Sequence, residues 1–187
     1  MSLLQAVRDL VAFKTRPEVL LQPNVPKPLH GVAPRVIFGK EWWDRTRREA
    51  YASTGQRCLV CGVHKNSALF HRWLEGHEVY RIDYRKGLAV YVETVPLCHA
   101  CHCFIHDGRL KALLEKGEVS LDKYRTVMAH GRSVLRAAGL NKRPLPNLRP
   151  GLIAPWGKWR MVVGGKKHKP IYKDFNAWAK HHGYLDE

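Results

Sequence analysis

The chain has 187 residues, 45% hydrophobic and 26% charged, with 32 lysines and arginines against 16 aspartates and glutamates, a formal net charge of +16. This is the composition of a globular chain, and no run approaches the roughly 20 apolar residues of a membrane-spanning helix. A cationic surplus of that size strains a compact fold by self-repulsion, and nucleic-acid phosphate is the polyanion that most often offsets it. The first apolar stretch is interrupted by Arg8, Asp9 and Lys14, unlike a signal-peptide core, so the expected location is the cytoplasm. In that reducing compartment cysteines hold metal more often than they form disulfides.

Ser2 is a candidate N-cap, and Leu3, Leu4, Val7, Leu10 and Val11 recur at helical spacing, which predicts a helix over 3–14 ended by Pro17. Pro17, Pro23, Pro26, Pro28 and Pro34 then predict an extended arm. The stretch KEWWDRTRREAYASTG predicts a helix with Trp42, Trp43, Thr46, Ala50 and Tyr51 on one side and Gly55 at its C-terminal cap. After CLVCG come two strands, about 69–84 and Leu88 to Val95, joined by the turn RKG. RLKALLEKG and a longer segment from Ser120 to Gly139 predict two helices, NKRPLPNLRPGLIAP a linker, and the last segment strand, Gly164-Gly165 turn, strand and helix. The expected fold class is α+β. The expected organisation is a helix and proline-rich arm over 1–40, a central domain over 41–140, and a linker with a basic, aromatic C-terminal module over 141–187.

Cys58 and Cys61 form one C-x-x-C knuckle and Cys98 and Cys101 a second, so four thiolates can close a tetrahedral Zn2+ site. Such a site has no open coordination position and serves folding, not chemistry. Cys103 stands two residues past the second knuckle and reads as a buried small side chain outside the site. His102 and His106 lie four apart, which on a helix puts both imidazoles on one face, where they can share a second metal. His77, in LEGHEVYRIDY, falls where a preceding strand can face that helix, and Glu93 lies toward the end of the second strand.

This pattern of C-x-x-C, a strand carrying an acid and a histidine, a second strand and L-C-x-x-C-H-x-x-x-H resembles the HNH endonucleases over roughly residues 41–108. The resemblance implies a ββα-metal core in which His77, His102 and His106 hold a catalytic divalent ion such as Mg2+ or Mn2+, with the four cysteines as the structural zinc of one subset. It also places Glu78 where the family carries the histidine that activates water, and Glu93 in place of the family's asparagine. Glu78 is the expected base, with His71, Glu75 and His99 as substitutes; in a regular strand it points away from His77, so a bend is needed for both to act together.

Arg45, Arg47 and Arg48 before the first knuckle, Arg81, Arg85 and Lys86 around the turn, and Arg109 with Lys111 after the second are expected to track a phosphate backbone without reading sequence. In the tail, Lys158, Arg160, Lys166 and Lys167, among tryptophans, read equally as a nucleic-acid grip or as the surface of a small aromatic core built on Trp156, Trp159, Phe175 and Trp178. The resulting expectation is an HNH-type endonuclease that hydrolyses phosphodiester bonds of double-stranded DNA, in a phage, mobile-element or restriction setting. Its rivals are a non-catalytic, zinc-stabilised DNA-binding protein on the same scaffold and a zinc-knuckle RNA-binding protein.

Overall fold

The computed structural model describes residues 13–141 and 153–184. Residues 3–12 of the expected first helix and 142–152 of the expected linker lie outside the described residues. The fold is α+β. Its elements are helix α1 (Pro34–Ser53), strands β1 (Glu75–Asp83) and β2 (Leu88–Leu97), helices α2 (His99–Ile105), α3 (Asp107–Glu115) and α4 (Leu121–Ala137), strands β3 (Arg160–Val163) and β4 (Lys166–His168), and helix α5 (Phe175–His181). The strands form one mixed sheet in the order β1-β2-β3-β4.

Local chemistry sets the helix ends. Gly39, at φ 78°, breaks α1 near its start, and the remainder runs over the predicted helical segment. It stops in a Schellman arrangement: Gly55, at φ 59°, donates to the Ala52 carbonyl and Gln56 to that of Tyr51. Ser120 caps α4 by accepting from the Lys123 amide at 3.2 Å. The first strand begins later than the residue pattern predicts. Phe70 takes a left-handed φ of 77°, so the chain is not extended there and pairing starts only at Glu75.

The described chain falls into two compact units, with boundaries after Glu75 and Val95 in the hairpin. One comprises the described residues 13–20, with Tyr51–Glu75 and Pro96–Asn141. Here Phe104 of α2 is fully buried against α4, where Gly131 has no side chain to obstruct it: a Cβ there would lie 2.2 Å from the phenyl ring. Gly131→Ala is therefore expected to lower the unfolding free energy by ~1–3 kcal/mol through overpacking, although alanine is the better helix former. Urea denaturation measures this, and an unchanged midpoint would show that the ring moves aside freely.

The other unit holds Leu21–Ala50, Gly76–Val95 and, of the C-terminal segment, the described residues 153–184. Its core gathers Leu29, Val32, Tyr80, Ala89, Ala154, Trp159, Met161 and Val163. Strand β3 pairs in parallel with β2, Ala89 opposite Met161, and antiparallel with β4, so the C-terminal strands extend the hairpin's own sheet. Trp159 is buried in this core and its indole N–H donates to the Ala154 carbonyl at 3.1 Å.

Candidate metal centres

Two sets of metal-donor side chains that each lie within one unit stand out among the described residues: the four paired cysteines, and His71, Glu75 and His99.

The first knuckle is shaped by its backbone. The Cys58 amide donates to Val63, the Gly62 amide to Cys58, and Gly62 supplies the φ of 76° that the turn requires. The Leu59 amide donates to the Pro96 carbonyl at 2.8 Å, which ties this knuckle to the chain entering the second. Cys98 is the N-cap residue of α2 and Cys101 lies within its first turns. All four sulfurs fall within 4.8 Å of one another, and those of Cys61 and Cys98 are 3.8 Å apart. Four Zn–S bonds of about 2.3 Å at tetrahedral angles put sulfurs ~3.8 Å apart, whereas a disulfide needs about 2.05 Å. All five cysteines are free thiols.

Without a cation these groups conflict. Hydrogen bonds from the Cys101, Cys61 and Cys98 thiols hold Cys58 well below the usual thiol range, while the same crowding pushes Cys101 far up. A divalent ion removes the conflict by stabilising four thiolates at once, so the donor set fits zinc. The sequence pattern does not reveal His130 of α4, whose Nε2 lies 3.3 Å from the Cys101 sulfur and whose pKa the Cys98 thiol raises. An imidazole N–H directed at a ligating sulfur is the kind of outer partner that tunes a metal site.

Next to the second knuckle, Glu75 at the head of β1 draws three imidazoles together. Its Oε1 lies 3.0 Å from His71 Nε2 and 2.7 Å from His99 Nδ1, and its Oε2 meets His102 Nδ1. Burial opposes its charge, but the His102 and His99 imidazoles hold its carboxyl well below the usual range. Cys103, expected to be a passive buried side chain, is only partly buried and its sulfur lies 3.4 Å from His99 Nε2. That thiol, and then Glu75, push the His99 pKa up to about 9. His102 and His106 stay one turn apart through the His106 amide to His102 carbonyl bond, with ring centroids 4.8 Å apart and planes nearly perpendicular.

His77 and Glu78 follow on β1, both buried. Gln22, which the sequence pattern did not single out, holds this stretch: its side-chain amide lies 3.3 Å from His77 Nε2, donates to the Glu78 carbonyl at 3.0 Å and accepts from the Tyr80 amide at 3.2 Å. The Glu78 carboxylate accepts from the Tyr80 hydroxyl at 2.9 Å and the Arg35 amide at 3.3 Å, with the Arg35 guanidinium at 3.7 Å. Burial, first, and the Glu78 charge push the Tyr80 hydroxyl far above its usual range. Glu93 lies on β2, part-buried.

Most of the cations named from the sequence are exposed: Arg45, Arg48, Arg81, Arg85, Lys86, Arg109, Lys158, Lys166 and Lys167. Arg47 and Arg160 are half-buried and engaged; Arg47 binds Asp44 at 2.8 Å, and Arg160 donates to the carbonyls of Gly157 and Trp159. Lys86 approaches Asp83 at 3.6 Å. Among the described residues no helix is long and apolar enough to cross a membrane. Compared with family models, curated proteins and solved structures, the chain matches none.

Proposed function

We propose that the protein is a divalent-metal-dependent endonuclease that hydrolyses DNA phosphodiester bonds, built on an HNH-type hairpin and helix with a structural zinc. The observation that carries this reading is the aim of His102. Its Nδ1 faces Glu75, which fixes the ring proton there and leaves the Nε2 lone pair for a metal beside His106, the carboxylate–histidine–metal arrangement of many metalloenzymes. His77, two residues beyond Glu75 on β1, is the third ligand that the HNH resemblance implies. These three neutral imidazoles would hold the ion. When bound, it supplies Lewis acidity to a phosphoryl oxygen and lowers the pKa of a bound water. The exposed arginines and lysines contribute sequence-independent contacts to the phosphate backbone.

Glu78 is assigned a positioning role in place of the base role that the resemblance suggests. Its carboxylate is engaged by Tyr80 and Arg35, and strand alternation turns it to the face opposite His77. Glu78→Gln is expected to cost ~1–3 kcal/mol of stability, the worth of hydrogen bonds to a charged group. Cleavage should stay within roughly tenfold of the parent, against the ~10²–10⁴-fold loss when a general base is removed. Plasmid-cleavage rates together with a thermal melt decide between the roles, and a hundredfold rate loss in a fully stable variant would restore Glu78 as the base.

The same engagement of Glu78 favours one rival, a DNA-binding protein without chemistry. Purified protein incubated with supercoiled plasmid and Mg2+, Mn2+ or Ni2+ separates the two. Nicked or linear product is expected, and retarded but intact plasmid with every metal would establish the binder.

A further inference from the structure

We propose that His71, Glu75 and His99 form a second divalent-metal site, a two-histidine, one-carboxylate set suited to a first-row transition ion such as Zn2+ or Mn2+. All three residues belong to the unit that carries the four cysteines, and none is a ligand of the proposed catalytic ion, although the second oxygen of Glu75 meets His102.

The spacing of the donors suits one ion. Two ring nitrogens approach a single carboxylate oxygen at 3.0 and 2.7 Å. Ligand atoms bonded at about 2.1 Å lie ~3.0–3.4 Å from one another, so a slight outward shift opens the coordination sphere. The contacts of His99 aim its ring at the carboxylate. Its Nε2 meets the Cys103 sulfur at 3.4 Å, and its Nδ1 meets the Glu75 oxygen at 2.7 Å.

The surroundings hold the rings in place. His71 stacks on Trp73 with centroids 3.7 Å apart and planes at 1°, and its side chain is 13% exposed. Its Nδ1 is buried without a hydrogen-bond partner, so Nε2 alone aims the ring at Glu75. The preceding residue, Phe70, carries the left-handed φ noted above, a conformation costly for an aromatic residue that persists where its surroundings enforce it, and its ring meets His99 edge-on at 5.6 Å. Three protein donors leave coordination positions open, as in catalytic zinc sites and unlike the closed cysteine site. A water or a phosphate oxygen is the ligand such a position takes.

The test counts bound ions. Full-length parent protein is saturated with Zn2+ at mildly alkaline pH, desalted and analysed by plasma mass spectrometry, beside His71→Gln/His99→Gln, beside His77→Ala/His106→Ala, and beside the combination of all four substitutions. The expected result is one ion fewer when His71 and His99 are replaced, in the parent and in the His77→Ala/His106→Ala background alike. Equal counts with and without His71 and His99 overturn the proposal and leave the cluster as hydrogen bonds gathered around Glu75. Failure of the nuclease reading shows differently: His77→Ala/His106→Ala then binds as many ions as the parent, and the effect of His71 and His99 is still read in that background. Should the His71/His99 variant misfold, ¹⁵N spectra of the parent's imidazoles serve instead. Added Zn2+ is expected to produce coordination shifts at His71 Nε2 and His99 Nδ1, and nitrogens that remain protonated overturn the site.

Discussion

Cys58→Ser and Cys98→Ser should each release the zinc and unfold the unit that holds it. A structural zinc contributes about 10 kcal/mol or more of apparent binding free energy in small modules, comparable to the ~5–15 kcal/mol total stability of a whole domain. Removing one thiolate leaves three sulfurs crowded within 4.8 Å and a buried hydroxyl in place of the fourth. The effect should reach well beyond the knuckles. Cys98 is the N-cap residue of α2, the helix that carries His99 and His102 and ends at its C-cap residue His106, and the Leu59 to Pro96 hydrogen bond joins the two halves of the site. Zinc content after dialysis and a circular-dichroism melt measure the outcome, with chelator treatment of the parent expected to reproduce it. A serine variant that keeps its zinc and melts with the parent would remove that cysteine from the site.

The parts of this centre that were legible in the sequence are local in the chain. The two C-x-x-C pairs and the His102/His106 spacing each need only one turn of backbone to become geometry, and the caps at Gly55 and Ser120 follow from the conformational preferences of single residues. What the sequence did not reveal depends on residues far apart. Glu75 read only as a substitute base because nothing in the residue pattern says that His99 and His102, 24 and 27 positions later, close on its two oxygens. His130 is invisible for the same reason, being 29 positions beyond the cysteine it approaches. The parallel pairing of β2 with β3 joins strands about 70 residues apart, and hydrophobic alternation specifies a buried face without naming a partner strand. The departures in the hairpin arose from side-chain chemistry at single positions: Phe70 delayed the first strand, and Tyr80 and Arg35 claimed the carboxylate of Glu78.

His77→Ala, His102→Ala and His106→Ala should each abolish plasmid cleavage while leaving the cysteine-bound zinc in place. An ion held by three imidazoles loses its position when one is removed, and residues that act as a unit are non-additive, so a double variant should be no worse than a single one. A base acting on its own would be worth ~10²–10⁴-fold, and loss of the ion removes Lewis acidity and nucleophile together, so the expected fall exceeds that range. Glu75→Gln tests the same geometry from outside the three-histidine set. With the carboxylate gone, His102 loses the charged acceptor that favours a proton on Nδ1. Outer partners of this kind change metal affinity or activity by about 10–100-fold, so added metal should partly rescue Glu75→Gln but not His102→Ala. Rates measured against metal concentration separate the two behaviours. Equal loss in both variants, without rescue, would make Glu75 a ligand of the proposed catalytic ion rather than a positioning group for His102, and full activity in any of the three alanine variants would remove that histidine from the proposed ligand set.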